Sequence, residues 1–168
     1  ERSVASGDRF GQDEASVDSH FELLKRTMDI AKTLDTRFIR IFSFWREEDP
    51  SAHFDEIVQH LSNAALMAEQ ANLILLLENE GSCNGGLAEE VAKLVKAVNS
   101  PHFKALWDPG NERARGRLPY PDGYEHLKEL LAHVHLKDAV AKPGQKSRCV
   151  PVGQGEVPYK EQFQALID

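Results

Sequence analysis

Short apolar runs alternate with longer amphipathic segments along the chain. Across Val17–Leu34 the apolar residues Phe21, Leu24, Met28, Ala31 and Leu34 recur at helical spacing, with charges between them. A strand is predicted at 38–44, where Phe38-Ile-Arg-Ile-Phe-Ser-Phe44 is rich in β-branched and aromatic residues. Pro50-Ser51 opens a second helix whose stripe is Phe54, Ile57, Val58, Leu61, Ala65 and Ala68. Residues 73–78, Leu-Ile-Leu-Leu-Leu-Glu, form an unbroken apolar run ending in an acid. A strand buried on both faces of a parallel sheet has this character.

The alternation continues past the next loop. Gly85-Gly86 precedes a helix carrying Leu87, Val91, Leu94, Val95 and Val98, and Pro101 ends it. Strands are predicted at 103–107 and 133–137, with a helix from Pro121-Asp122 through Leu131 between them. Ala141–Gly155 holds two prolines and three glycines and reads as a long loop, before a last helix from about Pro158. Regular βα alternation implies a parallel sheet with helices outside. No strand is followed by a GxGxxG or Walker loop, which disfavours an open nucleotide-binding sheet relative to a closed barrel.

Polar residues gather at the C-terminal ends of three successive strands: Glu78-Asn79-Glu80, Asp108-Pro-Gly-Asn111, and His133-Val-His135-Leu-Lys137-Asp138. Parallel neighbours lie about 5 Å apart, so equivalent ends can bring two carboxylates and an imidazole to one point. That donor set suits Mn, Mg, Co or Zn without choosing among them. Strand alternation puts His133, His135 and Lys137 on one face and Val134 and Leu136 on the other. His135 lies nearer the mouth than His133 and is the better ligand. The same rule turns Arg40 inward and Ile39 and Ile41 outward. Each residue has a bland reading: a lone strand-end acid is commonly a helix cap, Asp108-Pro-Gly starts a turn unaided, and a lone inward His is usually a core residue. Lys137 could pair with Asp138, and Arg40 with Glu78. Glu80 could be a solvated loop acid. Three ligand types on three consecutive strand ends are harder to explain as turn chemistry.

Twenty basic against 27 acidic residues give a net charge of −7, which argues against a nucleic-acid partner. The longest apolar run, Leu73–Leu77, is too short to span a bilayer. Cys83 and Cys149 stand far apart outside any CxxC spacing. With no signal-peptide pattern at Glu1-Arg-Ser-Val-Ala-Ser-Gly, they suggest a reduced, cytoplasmic setting.

Phe38-Ile-Arg-Ile-Phe-Ser-Phe, Leu77-Glu-Asn-Glu, Trp107-Asp-Pro-Gly-Asn and His133-Val-His-Leu-Lys-Asp, taken in order, resemble the sugar phosphate isomerase/epimerase group of the xylose isomerase-like barrels. The resemblance covers nearly all of residues 1–168. It implies one domain with the (β/α)8 TIM-barrel fold, incomplete because such a barrel needs about 250 residues. Ser3–Ser6 would be the tail of its third strand, and its first two strands and its last would be missing. It also implies a divalent metal held by Glu78, Asp108 and His135, with a fourth ligand past Asp168. Glu78 and Lys137 would be catalytic. Arg40, Asn111 and Lys137 would bind a sugar-like substrate. Where many members carry His, this chain has Asn111, which cannot shuttle a proton. The implied activity is isomerisation or epimerisation of a sugar or sugar phosphate, with dehydration of a sugar or inositol as the alternative. A repair endonuclease or a non-catalytic barrel, which share the fold, fit less well. Homo-oligomerisation is a further expectation for an open barrel.

Overall fold

The apolar stripe of the first amphipathic segment forms α1 (Glu14–Thr33), which lays Leu24, Met28 and Ala31 against the sheet. In this computed structural model residues 14–141 and 147–167 are described, and the strand tail expected at Ser3–Ser6 lies outside them. After α1 the chain runs through β1 (Phe38–Ile41), α2 (Phe54–Ala71), β2 (Ile74–Glu78), α3 (Ala88–Val98) and β3 (Phe103–Trp107). The short α4 (Pro109–Ala114) follows, then an irregular turn at Pro119–Gly123 and α5 (Tyr124–Leu127). Last come β4 (Leu131–Val134), β5 (Asp138–Val140), β6 (Arg148–Val150) and α6 (Tyr159–Ile167).

Strands β1, β2, β3 and β4 lie in that order in one parallel sheet. One face is apolar. Ile39, Ile41, Leu75, Leu77, Ala105 and Trp107 all enter the core shared with α1, α2 and α3. Alternation leaves Arg40, Glu78 and Asp108 on the opposite face. In β4 the register slips between Ala105 and Leu106, so that Ala105 pairs with Leu131 but Leu106 pairs with His133. The extra residue, Ala132, is a bulge. It lets Leu131 and Val134 both pack on the core while His133 and His135 turn to the other face.

The element ends differ from the sequence pattern for local reasons. β1 stops at Ile41, short of the predicted residue 44; beyond it Phe44 takes a left-handed backbone (φ 63°) with its ring buried. α2 and α3 end on Asn72 and Asn99, both left-handed, with the capping N–H groups returned to the last helical carbonyls. The helix expected through Leu131 is cut to α5, since Leu131 already belongs to β4. The segment read as one long loop holds an antiparallel pair, β5 with β6; residues 142–146 of it lie outside the described residues. No helix among the described residues is long and apolar enough to cross a membrane.

Candidate metal centre

Each of the three parallel strands β2, β3 and β4 delivers one side chain to a single point beyond its C-terminal end. Ligand atoms of Glu78, Asp108 and His135 lie within 4.8 Å of one another. His135 Nδ1 stands 3.3 Å from Glu78 Oε1 and 3.6 Å from Asp108 Oδ2. Glu78 and Asp108 are buried at 4% and 2% exposure. The strand pairing carries on one residue past β4, because the His135 N–H donates to the Trp107 carbonyl at 2.9 Å.

Asp108 is both a helix cap and a member of the cluster. Its Oδ1 accepts the Asn111 N–H at 2.9 Å, while Oδ2 faces His135 and lies 3.8 Å from the Lys137 ammonium. Asn79 ties this corner to β2. Its side chain accepts the Asp108 N–H at 2.7 Å and donates to the Asp108 carbonyl at 2.9 Å. Burial pushes the Glu78 carboxyl above the usual carboxylate range, against the pull of His135 and Arg40.

The cations meet at the same place. Arg40 Nη1 lies 3.3 Å from Glu78 Oε2, the pairing that rivals a direct role for Arg40 on substrate. Its guanidinium also covers the Phe42 ring at 4.9 Å. Lys137 does not pair with Asp138, whose carboxylate instead accepts the amides of Ala139, Gly153, Gly155 and Val157. The Lys137 ammonium donates to Asn111 Oδ1 at 2.6 Å. Asn111 is buried at 6% exposure. Its amide nitrogen donates to Glu78 Oε1 at 3.3 Å, the Asn79 carbonyl at 2.9 Å and Glu80 Oε2 at 3.4 Å. Glu80 also accepts from the Ser82 N–H and hydroxyl, as a loop acid does. His133 is exposed, with its ring 6.0 Å from that of His135.

Three residues of this network escape sequence reasoning. Asn79 lies within the Glu78-Asn79-Glu80 run without a role of its own, and neither Glu112 nor Tyr159 belongs to any motif. The Tyr159 hydroxyl accepts the Lys137 N–H at 2.7 Å and donates to the Lys137 carbonyl at 2.9 Å.

The donor set fits a divalent cation. Two carboxylates and one imidazole converge, both acids are buried, and N–H groups of Asn111 donate to each carboxylate. Residues 6–168 match the xylose isomerase-like TIM barrel family model, and the chain belongs to that family. Among curated proteins, no sequence matches it. Solved structures share the fold. A probable 3-DHS dehydratase from Bacillus anthracis is 20% identical with a TM-score of 0.80, over 96% of this chain and 64% of that one. A xylose isomerase-like TIM barrel protein from Mycobacterium smegmatis, in complex with magnesium, is 17% identical (TM-score 0.76), over 92% and 58%. A D-psicose 3-epimerase solved in the presence of D-fructose is 20% identical (TM-score 0.71), over 94% and 55%. The chain therefore spans between 55% and 64% of the lengths of these three proteins, and at such identities the likeness is one of fold.

Proposed function

We propose that the protein from which this chain comes is a divalent-metal-dependent isomerase or epimerase of a sugar or sugar phosphate. The observation that carries the reading is the convergence of Glu78, Asp108 and His135 within 4.8 Å at the ends of three parallel strands. A bound divalent cation would supply Lewis-acid polarisation of a substrate carbonyl and its neighbouring hydroxyl. Glu78 is the group to take and return a proton at the carbon beside that carbonyl. Arg40 orients Glu78 through the 3.3 Å contact. Lys137 offers positive charge where negative charge develops on oxygen, or where a substrate phosphate sits. Asn111 holds Glu78 and Lys137 in register through its two ends.

Dehydration of a related polyol would use the same groups, with Lys137 assisting departure of a hydroxyl. The similarity in fold to a probable 3-DHS dehydratase favours keeping this second reading. Full-length protein incubated with ketoses, ketose phosphates and cyclic polyols in D2O separates the two. Isomerisation or epimerisation by proton transfer leaves substrate mass unchanged apart from deuterium gained at the exchanged carbon; dehydration removes 18 mass units, the mass of water. Asp108→Asn should remove both metal content and turnover, lowering kcat/KM by about 100-fold or more. Full turnover by metal-stripped protein would sink both readings.

A further inference from the structure

The chain at Lys137 is gripped from three sides. On one side the Tyr159 hydroxyl at the start of α6 closes on both main-chain polar groups of this residue, at 2.7 and 2.9 Å. On another, Gly110 of α4 lies so close that a Cβ there would stand 2.3 Å from the Lys137 carbonyl oxygen. Beyond it, Asp138 is pinned by the amides of Gly153, Gly155 and Val157 at 2.8 to 3.1 Å. The residue so held is the one whose ammonium reaches Asn111 at 2.6 Å and Asp108 at 3.8 Å. Ordinary strand pairing has already ended, so nothing in the sheet fixes the height of Lys137.

We propose that Tyr159 is a positioning residue for Lys137: its hydroxyl sets the main chain so that the ammonium is directed onto the Asn111 and Asp108 side of the metal centre. This rests on the reading of the cluster as a catalytic site. Tyr159 touches no ligand atom and acts through Lys137 alone. A phenylalanine at this position would keep the packing on Phe163, whose ring lies 5.2 Å away, and remove only the two hydrogen bonds.

A built-in control reaches the same helix from α5. The Tyr124 hydroxyl donates to the Ala165 carbonyl of α6 at 2.7 Å, away from the site. Tyr124→Phe and Tyr159→Phe each loosen α6 by hydroxyl removal, so both should lower Tm modestly. Only Tyr159→Phe and Gly110→Ala should move Lys137. The readout is the rate of acetylation of the Lys137 amine by acetic anhydride in the full-length protein, followed by peptide mass spectrometry. Tyr159→Phe and Gly110→Ala should label Lys137 about fivefold faster than wild type, the change that losing one ordinary hydrogen bond brings. Tyr124→Phe should leave the rate unchanged. Turnover of Tyr159→Phe should fall about tenfold at nearly constant KM and unchanged Mn2+ affinity, because an interaction of the transition state is lost. Unaltered Lys137 labelling in Tyr159→Phe overturns the proposal. So does equal labelling in Tyr124→Phe, which would reduce the effect to general loosening of α6. Absence of Mn2+ binding and turnover in wild type defeats the metal-enzyme reading, while the labelling arm still decides the role of Tyr159.

Discussion

Glu112, 4% exposed, sits at the start of α3 and accepts the Ala88 N–H through both carboxylate oxygens at 3.3 and 3.1 Å. The Asn79 amide adds a contact at 3.3 Å. Burial outweighs these donors and pushes the group up to about 7. In the unfolded chain it titrates near 4.5, the ordinary value of a glutamate side chain. Between those two values the folded state holds a proton that the unfolded state has released. Its contribution to stability is therefore complete below pH 4.5 and is lost as pH rises through about 7. Glu112→Gln carries no charge at any pH and keeps an acceptor for Ala88. It should melt above wild type at pH 8 by about 2–4 °C per kcal/mol recovered. Thermal melts at pH 8 and pH 5 test this, and an advantage that grew on acidification would contradict it. Glu112 also marks what the sequence hides. Glu78, Asp108, His135 and Lys137 can be singled out because alternation fixes their face and strand ends fix their height. Asn79, Glu112 and Tyr159 bond to partners 29, 24 and 22 residues away. No local pattern encodes such a pairing.

Among the elements, β1, β2, β3 and the three helices behind them follow from apolar runs and 3.6-residue stripes, and β3 forms over the predicted residues, whereas the strand expected at 133–137 forms at Leu131–Val134, where the bulge at Ala132 resets its register. The region after β4 does not follow from such patterns, because its order comes from one carboxylate and not from a hydrophobic period. Asp138 is 1% exposed and gathers the amides of Ala139, Gly153, Gly155 and Val157. Those bonds hold its carboxyl below the usual range although burial, the largest influence, acts the other way. Gly155 is obligatory, since a Cβ there would meet Asp138 Oδ1 at 2.1 Å. Removing the carboxylate strands several donors at once, and each buried unsatisfied group costs about 1–3 kcal/mol. Asp138→Ala should lower Tm by about 6 °C or more. Amide exchange of Gly153, Gly155 and Val157 should accelerate ahead of the four-stranded sheet. Uniform acceleration across the sheet would mean that Asp138 supports the whole fold and not this one return segment.

On the scale of the molecule, the candidate centre joins β2, β3 and β4 at their C-terminal ends. Two buried acids stand there beside the Arg40, Lys137 and His135 side chains that offset them. Ligands drawn from three strands make a bound cation a cross-link that exists only in the folded state. Such binding stabilises by mass action, by about 2.7 kcal/mol when the free ion is at 100 times its Kd. Melting should therefore rise by about 5–10 °C with the preferred ion among Mn2+, Mg2+, Co2+ and Zn2+. The rise should be steep in pH, since His135 must be neutral and both carboxylates ionised to bind. His135→Ala should abolish it while leaving the ion-free melt close to wild type, because the imidazole is a third exposed and packs in no apolar core. The ranking of ions reports the site's preference, which oxygen and nitrogen donors alone leave open. Should none of the four ions raise the melt, or should His135→Ala keep the full rise, the three side chains would be an ion-pair network and not a metal centre.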